Sequence, residues 1–388
     1  MLTALSDATP SNGGGKAATL GLLLRYGLPV PDGFVVPVGR DQDTHPKIGP
    51  ALRTAIAHEL ERLGDPVVAV RSSAANEDTA HASAAGQYES IVGARGVDDV
   101  CEAIAACRAS AHTARVVDYW HRTGGSSALY SAHSMAVLVQ RVIEANVSGV
   151  MFTPQQAGDP TRIEASWGLG LAIVGGTVTP DAYEVAADGA ITCTVAGKET
   201  RTDLNMRGGV ITSTVAAEMQ TTRTLDDDTV ATLAKLGIRI ATFLEGPQDV
   251  EWAVADGTVW ILQTRPITAA LPATHARYST VPAQTLTGRP GSHGNVTATA
   301  RVVRGPSDFP TVQRGDVVIC PYTDPGWTPL FTIAAGVVTE TGGALSHAAI
   351  VAREYGVPAV LGVTHATTRI QNGDKVTLDG TAGTVTLL

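Results

Sequence analysis

Apolar positions along the chain fall into short β-branched runs separated by stretches with helical spacing. Gly336-Val337-Val338-Thr339 reads as a buried strand. Ala348 to Tyr355 holds strong helix formers and closes on Gly356, a residue suited to the end of a helix. Ser346 then falls at the N-cap and His347 at the first helical position. Near the N-terminus, Gly13 to Gly15 form a turn that leads through Lys16 into a helix ending at Tyr26. A strand past Pro31 follows, and another ends at Arg71. "MAVLVQRVIEANVSGVMFT" predicts a pair of strands around Ala145-Asn146. "GPQDVEWAVADGTVWILQTRP" predicts two adjacent strands joined by an Asp256-Gly257 turn. "KVTLDGTAGTVTLL" closes the sequence as two more short strands around a glycine-bearing turn.

Regular patterning lapses after Val259 to Thr268, where Pro266 ends a strand. The following "AALPATHARYSTVPAQTLTGRPGSHG" has neither helical nor strand period. It predicts a flexible linker over residues 271–293, between an N-terminal unit over 1–270 and a C-terminal unit over 294–388. Fully extended, such a linker spans several tens of ångströms, enough for one unit to visit two places.

Composition narrows the field. The chain of 388 residues is 44% hydrophobic and 17% charged, as in ordinary globular proteins, with a net charge of −9. That balance argues against nucleic acid or an anionic membrane as partner. Four scattered cysteines are expected to be buried reduced thiols. No apolar run approaches a membrane span, and the first residues lack the layout of a signal peptide. A cytoplasmic location is expected.

Certain residues carry candidate chemistry. A glycine-rich turn entering a helix can cradle phosphates, with Lys16 as a point charge, although a plain helix-start turn has the same look. Arg71 ends a buried strand before a hydroxyl-rich loop, which suits a phosphate contact or a structural ion pair. The backbone from Gln140 to Val142 could meet an adenine if it forms a strand edge. Strand alternation places Gln263 and Arg265 on one face, beside Glu251 on the adjoining strand. A carboxylate, an amide oxygen and a guanidinium together suit Mg²⁺ and a triphosphate. A solvated charged face is the plainer alternative. His347 stands beside free N–H groups at the positive end of a helix, where a phosphorylated imidazole gains more than a neutral one.

The segments "GGKAATLG", "VAVRSSAANEDTAHASAAGQ", "VLVQRVIEANVSGVMFT", "IEASWGLGLAIVGGTVTPDAYEV" and "PQDVEWAVADGTVWILQTRP" resemble the nucleotide-binding part of phosphoenolpyruvate synthase and pyruvate phosphate dikinase. "TDPGWTPLFTIAAGVVTETGGALSHAAIVAREYGVPAVLGVTHAT" resembles the swivelling phosphohistidine domain of that family, in the form found in rifampicin phosphotransferases. The resemblance implies an α/β (α+β) chain, an ATP-grasp domain followed by a smaller β/β/α domain, with ATP and Mg²⁺ as cofactors. It places Lys16, Arg71 and Arg265 at phosphate positions, Glu251 and Gln263 at metal positions, and the phosphoryl on His347, steadied by Thr341. It further implies conversion of ATP to AMP and phosphate, with one phosphoryl passing to an acceptor. The segment between Arg40 and Val67 is shorter than in relatives, and the family's third, acceptor-binding domain has no counterpart here. The acceptor is therefore expected to be a small molecule held by these two units or by a partner subunit. A ligase that activates an acid and a non-catalytic ATP-binding protein are the other readings.

Overall fold

A computed structural model describes residues 2–38, 48–74, 88–111, 113, 135–267, 271 and 284–388. Among them, β1 (Thr3–Ala4), β2 (Gly33–Val36), β3 (Val68–Ala74), β4 (Ser90–Ala94) and β5 (Met135–Arg141) form an antiparallel sheet in the order β1-β2-β5-β3-β4. Alternation assigns its two faces. Val35, Ala136 and Leu138 join the core that contains the apolar side of α1 (Pro10–Arg25). Phe34, Val36, Val70 and Val139 pack with α2 (Pro50–Arg62) and α3 (Gly96–Ser110).

The first helix begins earlier than its glycines suggest. Pro10 occupies its first turn, and the Thr9 N–H donates to Asn12 Oδ1 at 2.7 Å. The glycine triplet lies inside it, as a break at Gly14 with φ 72°. A Cβ there would stand 1.8 Å from the Ser73 carbonyl oxygen, so α1 can lie against β3 only with glycine at this point.

A second antiparallel sheet holds β6 (Val147–Phe152), β7 (Thr161–Trp167), β8 (Asp181–Val185) and β9 (Ile191–Thr194). An outlying hairpin, β10 (Thr200–Leu204) and β11 (Val210–Thr214), follows. Then come β12 (Gln248–Ala255) and β13 (Thr258–Pro266), and the sheet order is β13-β12-β6-β7-β8-β9. One face packs Met151, Ile163, Val250, Trp252 and Ile261 into the core shared with α1. The short helix α4 (Leu171–Val174) lies on the other side, and α5 (Asp227–Phe243) covers the core.

The expected hairpin around Ala145-Asn146 does not form. Strand β5 belongs to the first sheet and β6 to the second, and residues 142–146 cross between them. A two-residue hairpin of the commonest type needs positive φ at both turn residues, and neither Ala145 nor Asn146 has it. The Asp256-Gly257 turn does, at 49° and 73°, and there the expected hairpin of β12 and β13 is found.

The C-terminal sheet runs β14-β21-β20-β16-β17-β18-β19-β15. Its strands are β14 (Thr285–Thr287), β15 (Arg289–Ser292), β16 (Asn295–Val302), β17 (Val317–Cys320), β18 (Gly336–Thr339), β19 (Ala359–Leu361), β20 (Lys375–Asp379) and β21 (Thr384–Leu387). Strands β16 to β19 are parallel. The expected linker is thereby shortened, because residues 285–292 are two strands of this sheet. Both stand at its edges, where Pro290 removes no needed donor. The Thr-, Pro- and Gly-rich composition had hidden them. Residues 272–283, the rest of that stretch, lie outside the described residues. After β18 comes α6 (His347–Tyr355), ended by Gly356 at φ 64° as expected.

Candidate functional site

The first two sheets meet at an open cleft with a cavity volume of about 150 Å³. Arg71, Gln140, Val142, Glu251 and Gln263 all line it. Glu251 and Gln263 are register partners on β12 and β13, so they project from the same face. Arg71 reaches both: its Nη1 lies 3.4 Å from Gln263 Oε1 and 3.7 Å from Glu251 Oε2. A β-bulge after Glu251 brings Leu262 to the cleft beside Gln263, adding an apolar wall to a polar floor.

Lys16 is buried, and its Nζ donates to the Ser72 carbonyl at 3.1 Å, one residue beyond Arg71. It lies against β3, outside the residues that line the cleft. Gln140 and Val142 differ from expectation. Strand β5 is central rather than an edge, so Gln140 is in register with both Gly33 and Ala69. The Val142 N–H donates to Val67 O at 2.9 Å, and Gln140 Nε2 donates to Pro31 O at 3.0 Å. These donors are spent on the fold, and both residues serve as cleft wall. Arg265 bonds Asp249 at 2.8 Å just beyond the platform. Burial pushes the Asp249 carboxyl up from its ordinary value, against the pull of Arg265. The strand expected to end at Arg71 runs on through Ser72 and Ser73, both buried, to Ala74, and residues 75–87, with His81, lie outside the described residues.

His347 is 5% exposed, and its Nδ1 lies 3.1 Å from Thr323 Oγ1. Ser346 holds the N-cap position, but its hydroxyl donates to Gly343 O instead of capping the helix. The loop before His347 is seated on the second sheet. Leu345 packs among Val150, Phe152, Ala172, Ile173 and Val178. The Thr341 hydroxyl, expected at the phosphoryl, here donates to Gly176 O at 2.6 Å. The N–H groups of Ala344 and Leu345 donate to Glu164 Oε1 and Oε2 at 2.7 and 3.2 Å. Burial pushes the Glu164 carboxyl up, while Arg289 and the two N–H donors draw it down. Gly343 makes room for that carboxylate: a Cβ would stand 2.3 Å from both its oxygens. Behind it Arg353, on α6, donates to Gly291 O and Ala344 O, and burial lowers its guanidinium to about 10.

Registers tie the two halves together. Gln263 stands opposite Glu251, Glu251 opposite Val150, and Val150 opposite Glu164. Opposed residues share a face, so this row of four strands carries the polar platform at one end and the seat of the histidine loop at the other. Two strand spacings, roughly 10 Å, separate Glu251 from Glu164. Sequence reasoning missed Thr323, Leu345 and Glu164 as site residues. Only Glu164 carried a signal, a carboxylate within the apolar run of β7. Asp181, also without an expected role, pairs with Lys198 at 2.6 Å, both fully buried. His293 and His365 are exposed.

No group of three or more metal-ligating His, Cys, Asp or Glu side chains occurs among the described residues. Mg²⁺ needs few protein ligands when phosphates supply the rest, and the facing oxygens of Glu251 and Gln263 fit that requirement. Two sheets clasping such a cleft, next to a parallel-sheet unit that presents a histidine at a helix start, define an ATP-grasp protein with a phosphohistidine-type domain. Residues 40–282 match the AMP/ATP-binding domain of pyruvate phosphate dikinase, and residues 312–383 match the mobile domain of PEP-utilising enzymes. The chain belongs to the phosphoenolpyruvate synthase and pyruvate phosphate dikinase family.

Among its relatives, the probable phosphoenolpyruvate synthase of Methanothermobacter thermautotrophicus is 33% identical over 96% of this chain and 61% of its own length. The phosphoenolpyruvate synthase of Pyrococcus furiosus is 35% identical over 88% of this chain and 44% of its own length. That of Aeropyrum pernix is 30% identical over 96% and 56%. The chain thus spans about half the length of the curated relatives it matches. No helix among the described residues is long and apolar enough to cross a membrane. All four cysteines are free thiols, three of them buried and Cys193 half-buried.

Proposed function

We propose that the chain takes a phosphoryl group from ATP onto His347 and passes it to an acceptor, releasing AMP and phosphate. The observation that carries this reading is the shared sheet face, with Glu251 and Gln263 at one end and the His347 loop seated at the other. Nδ1 lies against Thr323 Oγ1, which supports Nε2 as the reacting nitrogen. Nδ1 keeps its proton and donates it to the threonine oxygen, and the Nε2 lone pair attacks the β-phosphorus. The bond from that phosphorus to the AMP oxygen breaks as the N–P bond forms. Water then removes the terminal phosphate, which leaves one phosphoryl on the imidazole. Arg71, with Lys16 beside it, supplies positive charge for the phosphates. Glu251 and Gln263 would hold Mg²⁺, which when bound neutralises charge on the transferring group.

His347 is enclosed at its seat, so delivery to an acceptor requires the C-terminal unit to leave. The acceptor is a small hydroxyl or carboxylate metabolite, held between the two units or on a partner subunit. Intact-mass spectrometry at neutral pH after incubation with Mg·ATP tests the proposal. Wild type should gain one phosphoryl and release AMP, and His347→Ala should do neither. If no adduct and no AMP form with any candidate acceptor, or if His347→Ala is labelled as well, the reading is wrong.

A further inference from the structure

We propose that Glu164 is a positioning residue for this transfer, holding the loop that carries His347 over the nucleotide-facing side of the second sheet. The inference rests on the function proposed above and adds a residue that takes no part in binding the nucleotide. Glu164 is 4% exposed. A buried carboxylate is costly unless hydrogen bonds and opposite charges meet it. Here those that meet it come from the other unit. The donors are the N–H groups of Ala344 and Leu345, and Arg289 lies 3.9 Å away. The charge on β7 therefore has a purpose only when the C-terminal unit is seated.

Geometry adds precision to that seat. Two N–H groups on successive residues, each bonded to its own oxygen of one carboxylate, fix both the position and the tilt of the loop. His347 follows two residues later. Gly343 supplies the complementary absence of a side chain, and Leu345 fills the apolar hollow over Val150 and Phe152. Val150 lies in register between Glu164 and Glu251, so the loop is placed relative to the same strands that carry the platform. Glu164 is outside the cleft lining, which separates its role from that of Arg71, Glu251 and Gln263.

The test compares wild type with Glu164→Ala and with Gly343→Ala, which crowds the carboxylate from the opposite side of the interface. Rapid-quench mass spectrometry reads the rate of His347 phosphorylation, and calorimetry reads the affinity for a non-hydrolysable ATP analogue. Each variant should label at least about tenfold more slowly, since misplacing a reacting group by roughly an ångström can cost up to about a hundredfold. Analogue affinity should stay within about twofold, and the double variant should label no more slowly than the worse single one, because both break one contact. Labelling of Glu164→Ala at the wild-type rate would overturn the role. So would a loss of analogue affinity matching the loss of rate, which would make Glu164 a structural part of the nucleotide domain. A wild type that takes no phosphoryl would instead fail the functional reading, and the role with it.

Discussion

Thr323 and His347 are 24 residues apart in sequence and meet at 3.1 Å inside the C-terminal unit. In the proposed transfer that contact keeps the proton on Nδ1, which leaves the lone pair on Nε2 as the nucleophile. Thr323→Val keeps the shape and removes the acceptor. At about 1–2 kcal/mol for a buried hydrogen bond, labelling of His347 should slow by roughly 5- to 30-fold. Thr323→Ser should retain most of the rate, and ¹⁵N chemical shifts of the ring should show the tautomer mixture broadening in the valine variant. The histidine itself was legible from its neighbours, since two glycines, a serine and a helix-forming run announce a helix start. Its partner was not, because nothing local distinguishes Thr323 from the chain's many other threonines.

At the level of elements, legibility followed local chemistry. The β12–β13 hairpin was readable because Asp256-Gly257 is a turn only a few residue types can make, and Glu251 and Gln263 came with it. Strand β5 looked like half of a hairpin because its true partners, β2 and β3, lie far upstream. The same error turned its interior backbone into an apparent edge and gave Val142 a donor that Val67 already uses. Strands β14 and β15 were lost to composition, since edge strands tolerate proline and glycine. The Lys198–Asp181 pair also joins elements distant in sequence. Asp181, at the start of β8, accepts from Ala196 N, Thr224 N and Thr224 Oγ1 as well as from Lys198. Lys198→Met would leave a buried carboxylate without its counter-charge, at an expected cost of about 3–5 kcal/mol in denaturant unfolding. Adding Asp181→Leu should restore much of that loss.

For the molecule as a whole, the C-terminal unit rests on the same sheet that forms the floor of the nucleotide cleft. The helix α4 stands between the two: Leu171 and Val174 line the cleft, and Ala172 and Ile173 touch the hollow filled by Leu345. The resemblance pointed to a travelling histidine unit but not to the place where its loop is seated, because that place is written in β7 and β6, some 180 residues before the loop they receive. The seat also has a sign. Its central group is a carboxylate, and the phosphoryl proposed for His347 would be anionic as well, carrying close to two negative charges at neutral pH. Like charges brought into one dry interface repel. On the proposed mechanism the empty carrier would be held more tightly than the loaded one, and loading would loosen it in the direction of delivery. Small-angle scattering in Mg·ATP should show wild type expanding as His347 is labelled while His347→Ala stays compact; equal dimensions for both would remove this bias. Under that mechanism such a seat would draw a second use from the cleavage of one P–O bond, since the event that charges the imidazole would also dismiss the messenger.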